Sequence, residues 1–172
     1  MKRIIIFEGA DQSGKTTIAK ALAEKLNYSY FKNPSQKKQF KIRSNRVVWI
    51  AEAAYLIALL EQTDLDKIVL DRWVGSEFAY SFAFNRSTRY DLVFEFDDKM
   101  ADLGAMMIYC VKDNYENYED DLISEEDREK IREGFRRYLH KTEIPTFYLN
   151  TTDEDLKKQL TLIENFIKEN GK

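Results

Sequence analysis

Five short apolar runs punctuate the chain, at Arg3–Glu8, Tyr28–Phe31, Lys67–Asp71, Ala105–Val111 and Ile144–Leu149. Within each run the apolar residues are continuous rather than alternating. That pattern predicts strands buried on both faces. Between the runs the spacing changes to that of helices. Ile18, Leu22 and Leu26 line one face of a helix predicted over Ser13–Leu26. Further helices are predicted over Val47–Leu60, Asp91–Leu103, Ser124–His140 and Asp153–Glu169. Ser124 with Asp127 three residues on, and Thr152 with Asp155, predict N-caps for the last two. Strands alternating with helices imply an α/β domain, with one parallel five-stranded sheet and helices on both faces.

The 172 residues suit one such domain, 1–172, and leave no room for two. Composition is ordinary for a globular protein, 44% hydrophobic and 33% charged. A net charge of −3 gives the chain as a whole no electrostatic reason to coat nucleic acid, which is not an expected partner. With one cysteine and one histidine, no disulfide framework or Cys/His zinc site can form within the chain. Cys110, in the run Met106 to Val111, reads as a small buried hydrophobe, and His140 as a solvated or capping residue. The apolar residues after Met1-Lys2-Arg3 are too few for a signal-peptide core. The longest apolar stretch, Ala53–Leu60, is far short of a membrane span. A soluble cytoplasmic protein is expected.

The chemistry is concentrated in Gly9-Ala10-Asp11-Gln12-Ser13-Gly14-Lys15-Thr16, which fits the phosphate-loop pattern G-x-x-x-x-G-K-[ST] between a strand and a helix. Glycines let backbone N–H groups converge on a phosphate at a helix N-terminus. Lys15 adds a cation toward the β- and γ-phosphates, and the Thr16 hydroxyl can ligate Mg²⁺. A second apolar strand ends in Asp71-Arg72. Ligands of parallel sheets bind beyond the carboxyl ends of the strands, so Asp71 is placed to hold Mg²⁺ through water and Arg72 to neutralise phosphate charge. A strand-terminal charge pair facing solvent is the plainer reading of the same two residues.

Phe7-Glu8-Gly9-Ala10-Asp11-Gln12-Ser13-Gly14-Lys15-Thr16-Thr17 resembles the thymidylate kinase loop F-E-G-x-D-x-x-G-K-x-T. Asp71-Arg72-Trp73 with Ser76, Ala79 and Tyr80 is similar to that family's D-R-[YH] and S-x-x-A-Y, and Ile131-Arg132-Glu133-Gly134-Phe135 to its V-R-E-G-Y. The resemblance implies a P-loop NTPase fold with a five-stranded parallel sheet, and a kinase using ATP and Mg²⁺ to convert dTMP to dTDP. It implies that Gly9 to Thr17 hold the donor phosphates and that Lys15, Arg72 and Asp11 are catalytic. Asp11 would approach the acceptor, Arg72 would clamp its phosphate, and Trp49 and Tyr80 would wall its base. Trp49 is equally readable as a helix core residue. The resemblance also suggests a homodimer.

Departures from the pattern bear on the acceptor. The family's F-x-A-[DN]-R stands here as Trp49-Ile50-Ala51-Glu52-Ala53, and its R-E-P as Lys32-Asn33-Pro34. Gln12 occupies the loop position of a catalytic arginine, and the expected lid, 112–127, is short, acidic and without arginine. Arg128, Arg132, Arg136 and Arg137 follow it and could substitute, or form a solvated basic face. Lys32 to Arg46 carries six cations and no acid, readable as a solvated face or as a collector of acceptor phosphates, with Lys32 and Arg46 on the acceptor side. The alternatives to a dTMP kinase are a related kinase acting on a deoxynucleoside or a modified base in DNA, and a P-loop protein that binds nucleotide without transferring phosphate.

Overall fold

The computed structural model describes residues 2–32, 45–113, 124–153 and 155–171; the side chains of 45–47 are not among those described. In chain order the elements are β1 (Arg3–Glu8), α1 (Lys15–Leu26), β2 (Ser29–Lys32), α2 (Asn45–Gln62), β3 (Lys67–Asp71), α3 (Val74–Ala83), α4 (Tyr90–Asp102), β4 (Ala105–Val111), α5 (Glu125–Leu139), β5 (Thr146–Asn150) and α6 (Leu156–Asn170). The five strands form one sheet in the order β2-β3-β1-β4-β5, and every pairing is parallel. β1 is central, with Ile5 opposite Val69 on one side and Met106 on the other.

The continuous apolar runs have a direct packing cause. Ile4 and Ile6 face a core completed by Trp49, Val93, Met100 and Tyr138, whereas Ile5 and Phe7 face one completed by Ile18, Leu22, Leu160 and Ile163. All four β1 residues are fully buried, and each such side chain contributes about 2 kcal/mol by leaving water. α1 and α6 thus cover one face of the sheet, and α2, α4 and α5 the other.

Three predicted strands, β1, β3 and β4, match their observed limits, and β2 lies one residue later than expected. β5 begins at Thr146 rather than Ile144, because Pro145 has no N–H to give the ladder; its carbonyl instead accepts from Met107 N at 2.8 Å. Helix α3 is absent from the sequence reading. It leaves β3 after two residues, and its preceding residue, Trp73, makes no side-chain cap. At α5 the expected cap is present, with Ser124 Oγ accepting from Asp127 N. At α6 it is not: Asp155 caps the helix by accepting from Lys158 N at 3.0 Å. The Thr152 hydroxyl accepts instead from Asp113 N at 2.9 Å. α1 likewise starts at Lys15, after a left-handed Gly14.

α3 and α5 pack closely because small residues let them. A Cβ on Gly134 would lie 2.7 Å from the Ala79 backbone, and one on Gly75 would lie 2.5 Å from the Tyr138 ring. This packing fixes α3, which carries Ser76 and Tyr80. Of the expected lid, residues 114–123 lie outside the described residues. Cys110 is buried as expected, and burial pushes its thiol up to about 12. His140 is exposed and stands at the C-cap of α5. No helix among the described residues is long and apolar enough to cross a membrane.

Candidate active site

The loop between β1 and α1 turns where the sequence allows it. Gly9 has φ +142°, and a Cβ there would stand 2.5 Å from Cys110 O, so the loop runs hard against β4. Gln12 and Gly14 adopt left-handed φ values of 65° and 75°. The α1 N–H groups open from this turn, with Thr17 N reaching Gly14 O at 3.1 Å. Thr151, just beyond β5, fastens the loop from behind: its hydroxyl donates to Ser13 O at 2.9 Å. Lys15 is buried, and its Nζ donates to Ala10 O at 2.9 Å across the loop. Burial and then repulsion from Arg72 bring its ammonium down to about 8. A bound phosphate would reverse that shift by supplying the missing counter-charge.

The structure brings Thr16 and Asp71 together, with Thr16 Oγ1 donating to Asp71 Oδ2 at 2.7 Å. Tyr30 of β2 donates to the same oxygen at 2.7 Å, a contact absent from the sequence reading, and Lys32 Nζ lies 3.8 Å from it. Asp71 Oδ1 is buried with no hydrogen-bond partner among the described residues. No group of three or more His, Cys, Asp or Glu side chains able to hold a metal exists among those residues. This donor set suits Mg²⁺ carried mainly by a nucleotide's phosphates, with one hydroxyl and one water-mediated carboxylate from the protein.

Arg72 is the joint of the site. Its backbone is left-handed, φ 78°, an uncommon conformation for a residue with a side chain, and it is held there by Arg72 N donating to Phe7 O at 2.9 Å. The buried guanidinium donates to Gly9 O at 3.2 Å, to Ser76 Oγ at 2.8 Å, to Asp11 and to the Tyr80 hydroxyl. Tyr80 in turn donates to Asp11 Oδ2 at 2.6 Å. Burial works against the Asp11 charge, yet Arg72, Tyr80 and Lys15 together hold its carboxyl below the ordinary value.

Glu8 is a further member that the sequence reading did not single out. It is fully buried at the end of β1 and accepts from Trp73 N at 2.8 Å, from Ser76 N at 2.9 Å and from the Ser76 hydroxyl. Burial raises its pKa against the opposing pull of Arg72 and these donors. The signal available in the sequence was the F-E-G of the loop pattern itself.

A cavity of about 460 Å³ opens beside this network. Asp11, Lys32, Trp49, Arg72 and Tyr80, expected on the acceptor side, all line it. Trp49 is a core residue, edge-on to Phe96 at 6.1 Å, and it also lines the cavity. Arg46 falls among the residues whose side chains are not described. On α5 Arg136 and Arg137 are exposed and pair with Glu129 and Glu133, whereas Arg128 and Arg132 are half-buried, Arg132 also pairing with Glu129.

No protein-family model matches the chain. In sequence it is 30% identical over 120 residues to a protein of Methanococcus vannielii named "Probable thymidylate kinase", a match spanning 62% of this chain and 61% of that protein. A protein of the same name from Methanococcus maripaludis is 27% identical, across 97% of this chain and 96% of the relative. Among solved structures, the YorR protein of Bacillus subtilis in complex with phosphorylated GDP superposes with a TM-score of 0.74 at 21% identity, covering 96% of this chain and 95% of that one. The thymidylate kinase of Candida albicans does so with a TM-score of 0.68 at 17% identity, covering 99% and 92%. A deoxyadenosine kinase from M. mycoides with bound dATP gives 0.67 at 21% identity, covering 96% and 99%. The structural likenesses bear out the α/β fold with its five-stranded parallel sheet. In sequence the chain is similar to proteins named probable thymidylate kinase, and in fold it resembles thymidylate and deoxynucleoside kinases.

Proposed function

We propose that the protein transfers the γ-phosphate of ATP to a deoxynucleoside monophosphate bound in the cavity beside the loop, dTMP being the acceptor that the relatives' names favour. The observation that carries this reading is the span of Arg72: one guanidinium donates both to the loop carbonyl of Gly9 and to Asp11 and Tyr80 on the cavity wall. Such a group neutralises charge on a phosphoryl moving between the two sites.

In this reading the backbone from Gly9 to Thr17 and the Lys15 ammonium hold the donor phosphates. Thr16 and Asp71 hold Mg²⁺, which when bound neutralises charge on the β- and γ-phosphates. Asp11, fixed by Arg72 and Tyr80, orients the acceptor. Trp49 supplies a planar apolar wall for its base. Catalysis is then mainly positioning and charge neutralisation. The sequence expectation of no arginine in the loop or the lid leaves Arg72 as the principal cation in flight.

The test is a labelled γ-phosphate transfer assay with MgATP against a panel of deoxynucleoside monophosphates, deoxynucleosides and DNA. Transfer to a monophosphate, lost in Lys15→Ala while circular dichroism is unchanged, is the expected result. Transfer to none of the panel, or full activity in Lys15→Ala, overturns the proposal.

A further inference from the structure

Tyr30 stands on β2, the edge strand of the sheet, and its hydroxyl reaches over to Asp71 at the end of β3. The register explains how. Tyr30 lies opposite Val69 in the parallel pair, and side chains alternate along β3, so Val69 and Asp71 share one face of the sheet. That face is the one covered by α1, which carries Thr16. The half-buried Tyr30 packs against the core there, with Lys20 Nζ of α1 5.8 Å from its ring centroid. A phenylalanine would fill the same place in the core. The hydroxyl is therefore the part of Tyr30 that bears on Asp71.

The two oxygens of the Asp71 carboxylate are in different conditions. Each carboxylate oxygen offers two lone-pair sites. On Oδ2 both are met, by the hydroxyls of Thr16 and Tyr30 at 2.7 Å each, and Lys32 Nζ stands 3.8 Å off. Oδ1 is buried with no partner among the described residues, in a side chain only 1% exposed. Buried acceptors in that condition point to a ligand that supplies donors. We infer that Tyr30 is a positioning residue for the metal: with Thr16 it saturates Oδ2 and so fixes the carboxylate with Oδ1 left for water in the Mg²⁺ shell. Thr16 alone would hold the carboxylate less firmly, because its hydroxyl oxygen is also the protein's direct ligand to the ion. Tyr30 anchors Asp71 from a strand that does not touch the ion. The inference rests on the reading that Thr16 and Asp71 hold Mg²⁺, and it is independent of which acceptor is phosphorylated.

The experiment titrates Mn²⁺, standing in for Mg²⁺, into the complex of the protein with a non-hydrolysable ATP analogue, free ion being read by electron paramagnetic resonance. Wild type, Tyr30→Phe, Asp71→Asn and the double variant are compared, and each one's affinity for the analogue in EDTA is measured by calorimetry. We expect Tyr30→Phe to raise the Kd for Mn²⁺ about tenfold, the usual effect of losing a partner that orients a metal ligand. Asp71→Asn should raise it at least as much, and adding Tyr30→Phe to Asp71→Asn should weaken it little further. Affinity for the analogue in EDTA should be nearly unchanged in Tyr30→Phe, a result that damage to the sheet edge would not give. A Kd for Mn²⁺ unchanged or lowered in Tyr30→Phe overturns the inference, as does a comparable loss of analogue affinity in EDTA. Additive effects of the two substitutions overturn it as well. If Asp71→Asn raises the Kd and Tyr30→Phe does not, only the inference falls. If neither does, the placement of the ion at Asp71 falls with it.

Discussion

Glu8 and Arg72, buried groups of opposite charge, are joined through a single hydroxyl: Ser76 Oγ accepts from Arg72 Nη1 at 2.8 Å and donates to the Glu8 carboxylate. The guanidinium is therefore aimed from below by α3 as well as from the loop. Ser76→Ala removes the link while leaving Glu8 its two backbone donors. Transfer should slow by about tenfold, and urea denaturation should show a loss of roughly 1–3 kcal/mol, the cost of a buried partner left unmet. An unchanged kcat would mean that Gly9 and Asp11 orient Arg72 without help.

The Lys15 ammonium, brought down to about 8 by burial and then by Arg72, gives ATP binding a pH dependence. Below that value the side chain is charged and ready for phosphate. Above it the proton must be taken up on binding, so the Kd for ATP should rise about tenfold for each pH unit. Calorimetry in buffers of different ionisation enthalpy would register that proton uptake near pH 8.5, and none near pH 6.5.

Close contact between α3 and α5 makes Gly134 intolerant of a side chain. A Cβ would meet the Ala79 backbone at 2.7 Å, and backbone cannot turn aside as a flexible side chain can. Gly134→Ala should destabilise the fold by about 1–3 kcal/mol, seen as a lower Tm. Because Tyr80 neighbours Ala79 on α3, the Asp11 contact should loosen as well, raising the KM for the acceptor more than that for ATP.

Asp97 is buried beneath α5 and accepts from the hydroxyls of Tyr138 and Thr142. Burial raises it to about 6, against an ordinary value of 3.8. A group whose folded value is raised stabilises the fold while protonated, so stability is highest below about pH 4 on this account and declines as pH rises through 6. The full effect is at most on the order of 3 kcal/mol. Asp97→Asn should flatten the profile between pH 4 and 6, which denaturation at a series of pH values would register.

Much of the fold was legible because burial on both faces leaves a plain mark. β1, β3 and β4 read as unbroken apolar runs, since Ile4 and Ile5 each meet a different core. Legibility failed where neighbours in space decide. The cap of α6 passed to Asp155 once Thr152 was taken up by Asp113, and α3 follows β3 too closely for any cap to announce it. The phosphate loop was readable from local spacing, and Asp11, Arg72 and Tyr80 were expected from the resemblance. The role of Glu8 was not read, because its donors come from Trp73 and Ser76, beyond the next strand of the sheet. Its place in the F-E-G of the loop pattern was the one local sign.

The strand order has a consequence for how the molecule comes into being. β1 precedes its partners in the chain, pairing with strands that begin at Lys67 and Ala105, and the loop that follows it is tied down by Thr151. Non-local pairings of this kind close late, after most of the chain-closure entropy has been spent. A nascent chain that has only recently exposed its phosphate loop is therefore not yet a nucleotide-binding protein. Competence should arrive in a single late step, once β4 and the segment around Thr151 are in place.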